Sequence, residues 1–314
     1  MADPFDLASP THLALASPTH VIIGATDLDA SIDWWAGLGF GVTTENTFDA
    51  DVADRLFGLA GQVEQVELRV DEAPGGAIWL IQTPRTHRAR LPFERGPLAV
   101  GVYTTDMEAS LALAADLGAL PGGSIEHNFD IHSSEERSVV GPGGSTVVFI
   151  AAVDRQPSVL DIHPEWLHSE IHSIVSVVPS VDTSNQFWSE QLGLKIASDS
   201  DLDTMDHVTA THQAVRAHRT SLCDEFINPI RYEFIGYSGT AHDAVGQVST
   251  WPLPSALPLG CFAVTDVAAS AAHMFRAGAT FGDIVDLGDG CAIGGDRAIW
   301  GLDPNGTRFF LVGY

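Results

Sequence analysis

Two histidines hold the same place in two copies of one sequence pattern. His20 opens Thr19-His20-Val21-Ile22-Ile23, which runs on through Asp27-Leu28-Asp29-Ala30-Ser31 to Leu38-Gly39. His172 opens Ile171-His172-Ser173-Ile174-Val175, which runs on through Val181-Asp182-Thr183-Ser184 to Leu192-Gly193. Imidazole is the side chain best matched to holding a metal ion or moving a proton near neutral pH. His207, His212, His127 and His132 are further acid–base candidates. No nucleophile elbow, phosphate-binding loop or dinucleotide fingerprint occurs, and Gly141-Pro142-Gly143-Gly144 reads as a hairpin turn.

Each copy reads as a strand, a turn, then a helix closing on Leu-Gly, with Asp or Ser capping the helix. Two more copies lack the histidine: Pro97 to Ser110, and Leu257 to Ser270. β-rich sequence follows each opening. Val63–Val70 and Ala77–Gln82 flank Pro74-Gly75-Gly76. Arg137–Val140 and Thr146–Ala151 flank Pro142-Gly143-Gly144. Arg297–Gly301 and Thr307–Val312 flank Asp303-Pro304-Asn305-Gly306. The third copy is longer, with strands expected at Val208–Val215, His218–Cys223 and Ile230–Gly236. A strand–helix–three-strand unit is therefore used four times. Asp154–Glu170 reads as the link between halves, and Gly239–Pro258 foremost as a linker between the last two units, with a loop that covers a cleft as the alternative.

The formal charge of −26, from 41 acidic and 15 basic side chains, argues against nucleic-acid partners and anionic membranes. At 45% hydrophobic residues the chain supports a large core. Its 3 cysteines form no C-x-x-C pair, so a reducing compartment is expected. No basic, apolar leader opens the chain and no apolar run reaches membrane-spanning length, so a soluble cytoplasmic protein is expected, monomeric or homodimeric.

Four βαβββ units, with openings of the His-x-x-x-x-x-x-Asp-Leu-x-x-Ser type and closings of the Asp-Pro-Asn-Gly type, resemble the vicinal oxygen chelate superfamily. This is the glyoxalase, bleomycin-resistance and extradiol-dioxygenase group. The resemblance implies an α+β fold of curved, mostly antiparallel sheets around a cleft. It divides the chain into an N-terminal domain over 16–153 (modules 16–90 and 95–153) and a C-terminal domain over 168–314 (modules 168–240 and 256–314).

The resemblance also implies metal ligands on the first and last strand of each module. The first-strand positions are His20, Ala99, His172 and Leu259; the last-strand positions are Leu80, Val148, Glu233 and Phe310, with Trp79 and Phe149 one residue away from theirs. Only His20, His172 and Glu233 are ligand types, a set that suits Fe(II) and could also hold Mn, Zn, Ni or Co. They form one triad if module one faces module three; sequential pairing leaves a degenerate site. Glu233 lies in an apolar run, where a carboxylate must be paired, exposed or metal-bound. Trp79, Leu80, Phe149, Phe310 and Tyr232 are the implied substrate wall. The activity implied is a metal-dependent enzyme on a small oxygenated substrate, foremost an Fe(II) ring-cleaving dioxygenase. The alternatives are a glyoxalase- or isomerase-type lyase, a resistance-type binder and a metal-free relative.

Overall fold

The computed structural model describes residues 15–86, 93–128, 133–153, 155–205, 214–223, 230–238, 246–288 and 295–313. Module one runs β1 (His20–Ala25), α1 (Leu28–Gly37), β2 (Gly41–Phe48), α2 (Ala50–Phe57), β3 (Val63–Arg69) and β4 (Ala77–Gln82). Module two runs β5 (Gly96–Thr104), α3 (Met107–Asp116), β6 (Leu120–Asn128), β7 (Ser133–Val140) and β8 (Thr146–Ala152). Module three has β9 (His168–Val177), α4 (Val181–Ser184, continued as a π-helix over Asn185–Gln191), β10 (Lys195–Met205), β11 (Ala214–Cys223) and β12 (Arg231–Ser238). Module four has β13 (Pro258–Val264), α5 (Val267–Arg276), β14 (Thr280–Phe281), β15 (Val285–Asp286), β16 (Arg297–Leu302) and β17 (Arg308–Gly313). Most of the strand expected over Val208–Val215 lies outside the described residues.

The module helices start where the sequence places their caps. The Asp27, Asp106 and Asp266 carboxylates and the Ser180 hydroxyl each accept from a backbone N–H one turn in. They stop at the repeated glycines. Gly39, Gly118, Gly193 and Gly278 all have positive φ, the left-handed geometry that reverses a chain after its last turn.

The modules pair in neither expected way. One sheet runs β14-β16-β17-β13-β1-β4-β3-β2, joining module one to module four; β15 pairs with β16. The other runs β10-β11-β12-β9-β5-β8-β7-β6, joining module two to module three. The central seams are β1 against β13 and β5 against β9, both antiparallel. The long Asp154–Glu170 segment lets the chain return so that module three lies against module two. Its last residues, from His168, already belong to β9.

Helices α1, α3, α4 and α5 lie between the sheets, and the largest core fills that layer with Trp34, Trp35, Phe187, Trp188, Phe262 and Phe309. Trp188 stacks on Phe262 at 5.1 Å and its Nε1 donates to Asp303 Oδ2 at 3.1 Å, tying module three to the closing turn of module four. Leu80, Phe149 and Tyr232 point into this layer. They are core residues, not the substrate wall expected of them, because strand alternation turns them toward the helices. Each sheet curls round its other face: α2 packs on that face of the module one–four sheet, and Arg219 on β11 reaches Glu136 on β7 across that of the module two–three sheet, which makes two clefts.

Candidate functional site in the second cleft

The cleft of the module one–four sheet is filled by its own chain. Helix α2 lays Val52, Ala53, Leu56 and Phe57 into it, against Trp79, Phe310, Val312 and Ala298. The linker toward module four adds Leu253, so this segment does more than connect. Trp300 Nε1 donates to Arg55 O at 3.1 Å, and Arg55 Nη2 donates to Ile284 O at 2.8 Å, locking α2 across the opening. Trp79 and Phe310 are therefore packing residues around a plug.

His20 sits at the rim of this filled cleft, with its ring 4.8 Å from that of Trp79. Arg69 Nη2 lies 3.0 Å from His20 Nε2, and Thr19 Oγ1 lies 2.9 Å from Nδ1. A guanidinium can only donate, so Nε2 accepts and Nδ1–H donates to Thr19. Burial, reinforced by the Arg69 charge, pushes the imidazole down to about 3. Arg69 also pairs with the buried Glu67. Both ring nitrogens of His20 are engaged, and a cation already holds the lone pair that a metal would need.

The module two–three cleft is polar inside. Tyr232 and Phe234 face the helix layer, so alternation turns Arg231, Glu233 and Ile235 into the cleft. On β9 the register slips: Gly101 opposes Ser173 but Val102 opposes Ile171, leaving His172 as the extra residue of a β-bulge. The bulge turns His172 inward beside Ser173, and its ring lies 4.0 Å from that of Tyr103. The histidine expected to begin its strand is thus four residues inside it. Glycine at 101 leaves room for this arrangement: a Cβ there would stand 2.5 Å from Ser173 Oγ and 3.0 Å from Ile150 Cδ1, so those side chains would have to shift.

Charge surrounds His172. Burial and then the Arg231 and Arg219 charges hold its imidazole well below its usual range, so it is neutral. Its Nδ1 has no hydrogen-bond partner. Arg231 lies opposite Ser173 on the neighbouring parallel strand, about 5 Å away between strands. Glu233 is buried and paired: Arg219 Nη2 reaches Glu233 Oε2 at 2.9 Å, and Arg219 Nη1 reaches Glu136 Oε1 at 3.3 Å. The Tyr103 hydroxyl accepts from Gln156 N–H at 3.1 Å, and burial pushes its pKa up to about 12.

The expected triad is not assembled. His20 belongs to one sheet, and His172 and Glu233 to the other. Glu233 is neutralised by a guanidinium, and a second guanidinium flanks His172. Among the described residues no three His, Cys, Asp or Glu side chains gather as a metal site. Two imidazole and carboxylate ligands beside two fixed cations do not fit the three-ligand set that Fe(II) takes. His207, His212 and His132, and the His127 side chain, lie outside the described residues.

Sequence reasoning did not find Arg219, Tyr103, Ser221 and Glu136, and offered Arg231 only as a partner for Glu233, which pairs with Arg219 instead. One signal was available. Arg231 and Glu233 stand two apart in an apolar strand, which places both on one face with a partner still to be found.

No protein-family model matches the chain, and no curated protein matches it. Solved structures do. The glyoxalase I from Zea mays is similar at 15% identity and a TM-score of 0.63, over 95% of this chain and 92% of that one. A putative dioxygenase from Bacillus subtilis is similar at 8% identity and a TM-score of 0.62, over 95% and 85%. At these identities the likeness is one of fold. The chain has the vicinal oxygen chelate fold in its four-module form, α+β, with five α-helices on two sheets of nine and eight strands among the described residues.

Proposed function

We propose that this protein is an isomerase- or lyase-type enzyme acting on a small oxygenated organic molecule in the cleft between modules two and three. The observation that carries the reading is His172: a buried, neutral imidazole, set inward by a bulge, with an unpartnered Nδ1. Neutral imidazole is a base, and strained or bulged strand positions gather at active sites.

The chemistry follows from the neighbours. His172 takes a proton from a carbon next to a carbonyl. The C–H electron pair moves to the carbonyl oxygen, where the Arg231 guanidinium stabilises the negative charge. The imidazolium then returns the proton to the same carbon, on either face, or gives it to a leaving group that the enolate electron pair expels from the next carbon along. Tyr103 packs against the ring and fixes its plane. Arg219 pairs with Glu233 at 2.9 Å and holds its carboxylate in place.

The fold's resemblance also suggests an Fe(II) ring-cleaving dioxygenase, and the residues described do not supply its ligands. One experiment separates the readings. Carbon acids with a neighbouring carbonyl are incubated with the protein in D2O, with and without a chelator, and deuterium uptake is followed by NMR. Uptake that survives the chelator and is lost in His172→Asn supports proton transfer by His172. Uptake or oxygen consumption that appears only with one bound metal per chain overturns it in favour of a metalloenzyme. Ligand binding without any uptake leaves a resistance-type binder.

A further inference from the structure

We infer that the second cleft recognises a small hydroxy- or oxo-carboxylate, its carboxylate held by Arg231 and its second oxygen by Ser221 and Glu233. This rests on the reading of that cleft as the working site, but not on His172 being the base.

Arg231 carries the argument. The chain has 41 acidic side chains and only 15 basic ones, so a buried or half-buried arginine should find a carboxylate with ease. Arg219 finds two. Arg231 is half-buried beside the imidazole, its Nε is buried without a partner, and it makes no ion pair among the described residues. A guanidinium withdrawn from water and left unpaired is costly, and a planar fork of donors is the group that matches a carboxylate in two parallel hydrogen bonds.

The remaining open atoms describe the rest of the ligand. Ser221 and Glu233 are register partners on adjacent strands. Ser221 Oγ and Glu233 Oε1 are both buried and both without a partner, as is Arg219 Nε. A hydroxyl between them would donate to Glu233 and accept from Ser221; a carbonyl would accept from Ser221 and from Arg219 Nε. Arg231 and Glu233 are two residues apart on one strand, about 7 Å between Cα atoms. That span suits a molecule whose two oxygen functions are separated by one to three carbons. Val148, Ile150 and Val175 form the apolar remainder of the cleft wall, which suits a short hydrocarbon portion of the ligand.

The test uses the full chain and four probes, lactate, glycolate, pyruvate and oxalate, against lactamide and pyruvamide at matched ionic strength. Binding is read by calorimetry and by the shift in Tm. The expected result is binding of carboxylates and none of amides, weakened about tenfold or more in Arg231→Gln and partly kept in Arg231→Lys. Arg276→Gln, on the exposed face of α5, is the charge control and should bind as the parent does. Equal binding of carboxylates and amides, undiminished binding in Arg231→Gln, or no binding of any carboxylate at tens of millimolar overturns the inference. Because the wild-type comparison of acid with amide needs no variant, a misfolded Arg231→Gln does not remove the test. Carboxylate binding without deuterium exchange would sink the proton-transfer reading alone. Exchange on neutral carbonyl compounds without carboxylate binding would sink the anion site alone.

Discussion

Arg219 and Glu136 meet at 3.3 Å, although they stand on strands second and seventh in an eight-stranded sheet. Only a sheet folded round on itself brings them together. The same guanidinium holds Glu233 at 2.9 Å, so one cation joins the two arms of the cleft to the carboxylate on its floor. Arg219→Ala leaves Glu233 buried without a counter-charge and should cost about 3 kcal/mol in urea unfolding. The double variant Arg219→Met/Glu233→Leu should recover most of that loss. A single-variant cost under ~1 kcal/mol would show that the bridge does not hold the arms.

Gly101 protects the bulge that aims His172. Gly101→Ala places a methyl 2.5 Å from Ser173 Oγ. The expected cost is about 1–3 kcal/mol from overpacking, with larger loss of His172-dependent exchange. Gly101→Ala/Ser173→Ala should regain stability, since the obstructing hydroxyl is gone. Failure of that rescue, by thermal melts, would place the strain elsewhere.

Helix α2 is a plug in the first cleft. Phe57 packs against Phe48 at 5.8 Å and Phe310 at 5.7 Å. Phe57→Ala should cost about 3–5 kcal/mol as a core cavity. Carboxylate binding in the second cleft should be unchanged, because the two clefts lie on separate sheets. A calorimetric titration of the variant that lost binding would contradict the assignment of the site.

Acid should destabilise the fold beginning near neutrality. His168, stacked on Phe149 at 5.0 Å, is pushed down to about 4 by burial, and His20 to about 3. Both must take up a proton on unfolding below about 6.5, so their contribution is full above that pH and is lost as pH falls toward 4 and 3. His172 acts in the same direction. Asp303 and Glu170 oppose them: burial raises Asp303 to about 6 and Glu170 above its usual range, so their contribution is present at low pH and is lost as pH rises through their raised values. The three lowered imidazoles outnumber the two raised carboxyls, so the urea midpoint should drop between pH 6.5 and 4.5. His168→Gln should flatten that slope; an unchanged slope would show that His168 does not titrate on unfolding.

What the sequence by itself determined was local. The caps at Asp27, Asp106, Ser180 and Asp266, the reversing glycines after each helix, and the tight turns between the closing strands are all set by neighbours a few residues away. They define four modules without any tertiary knowledge. Which modules share a sheet was decided only by tertiary structure, because β1 against β13 joins residues some 240 apart and no local pattern records that choice. That pairing separated His20 from His172 and dissolved the expected triad. Arg219, Glu136 and Arg231 show the same limit. Each is an ordinary charged residue on its own strand, and becomes part of a site only when curvature folds distant strands around one buried imidazole.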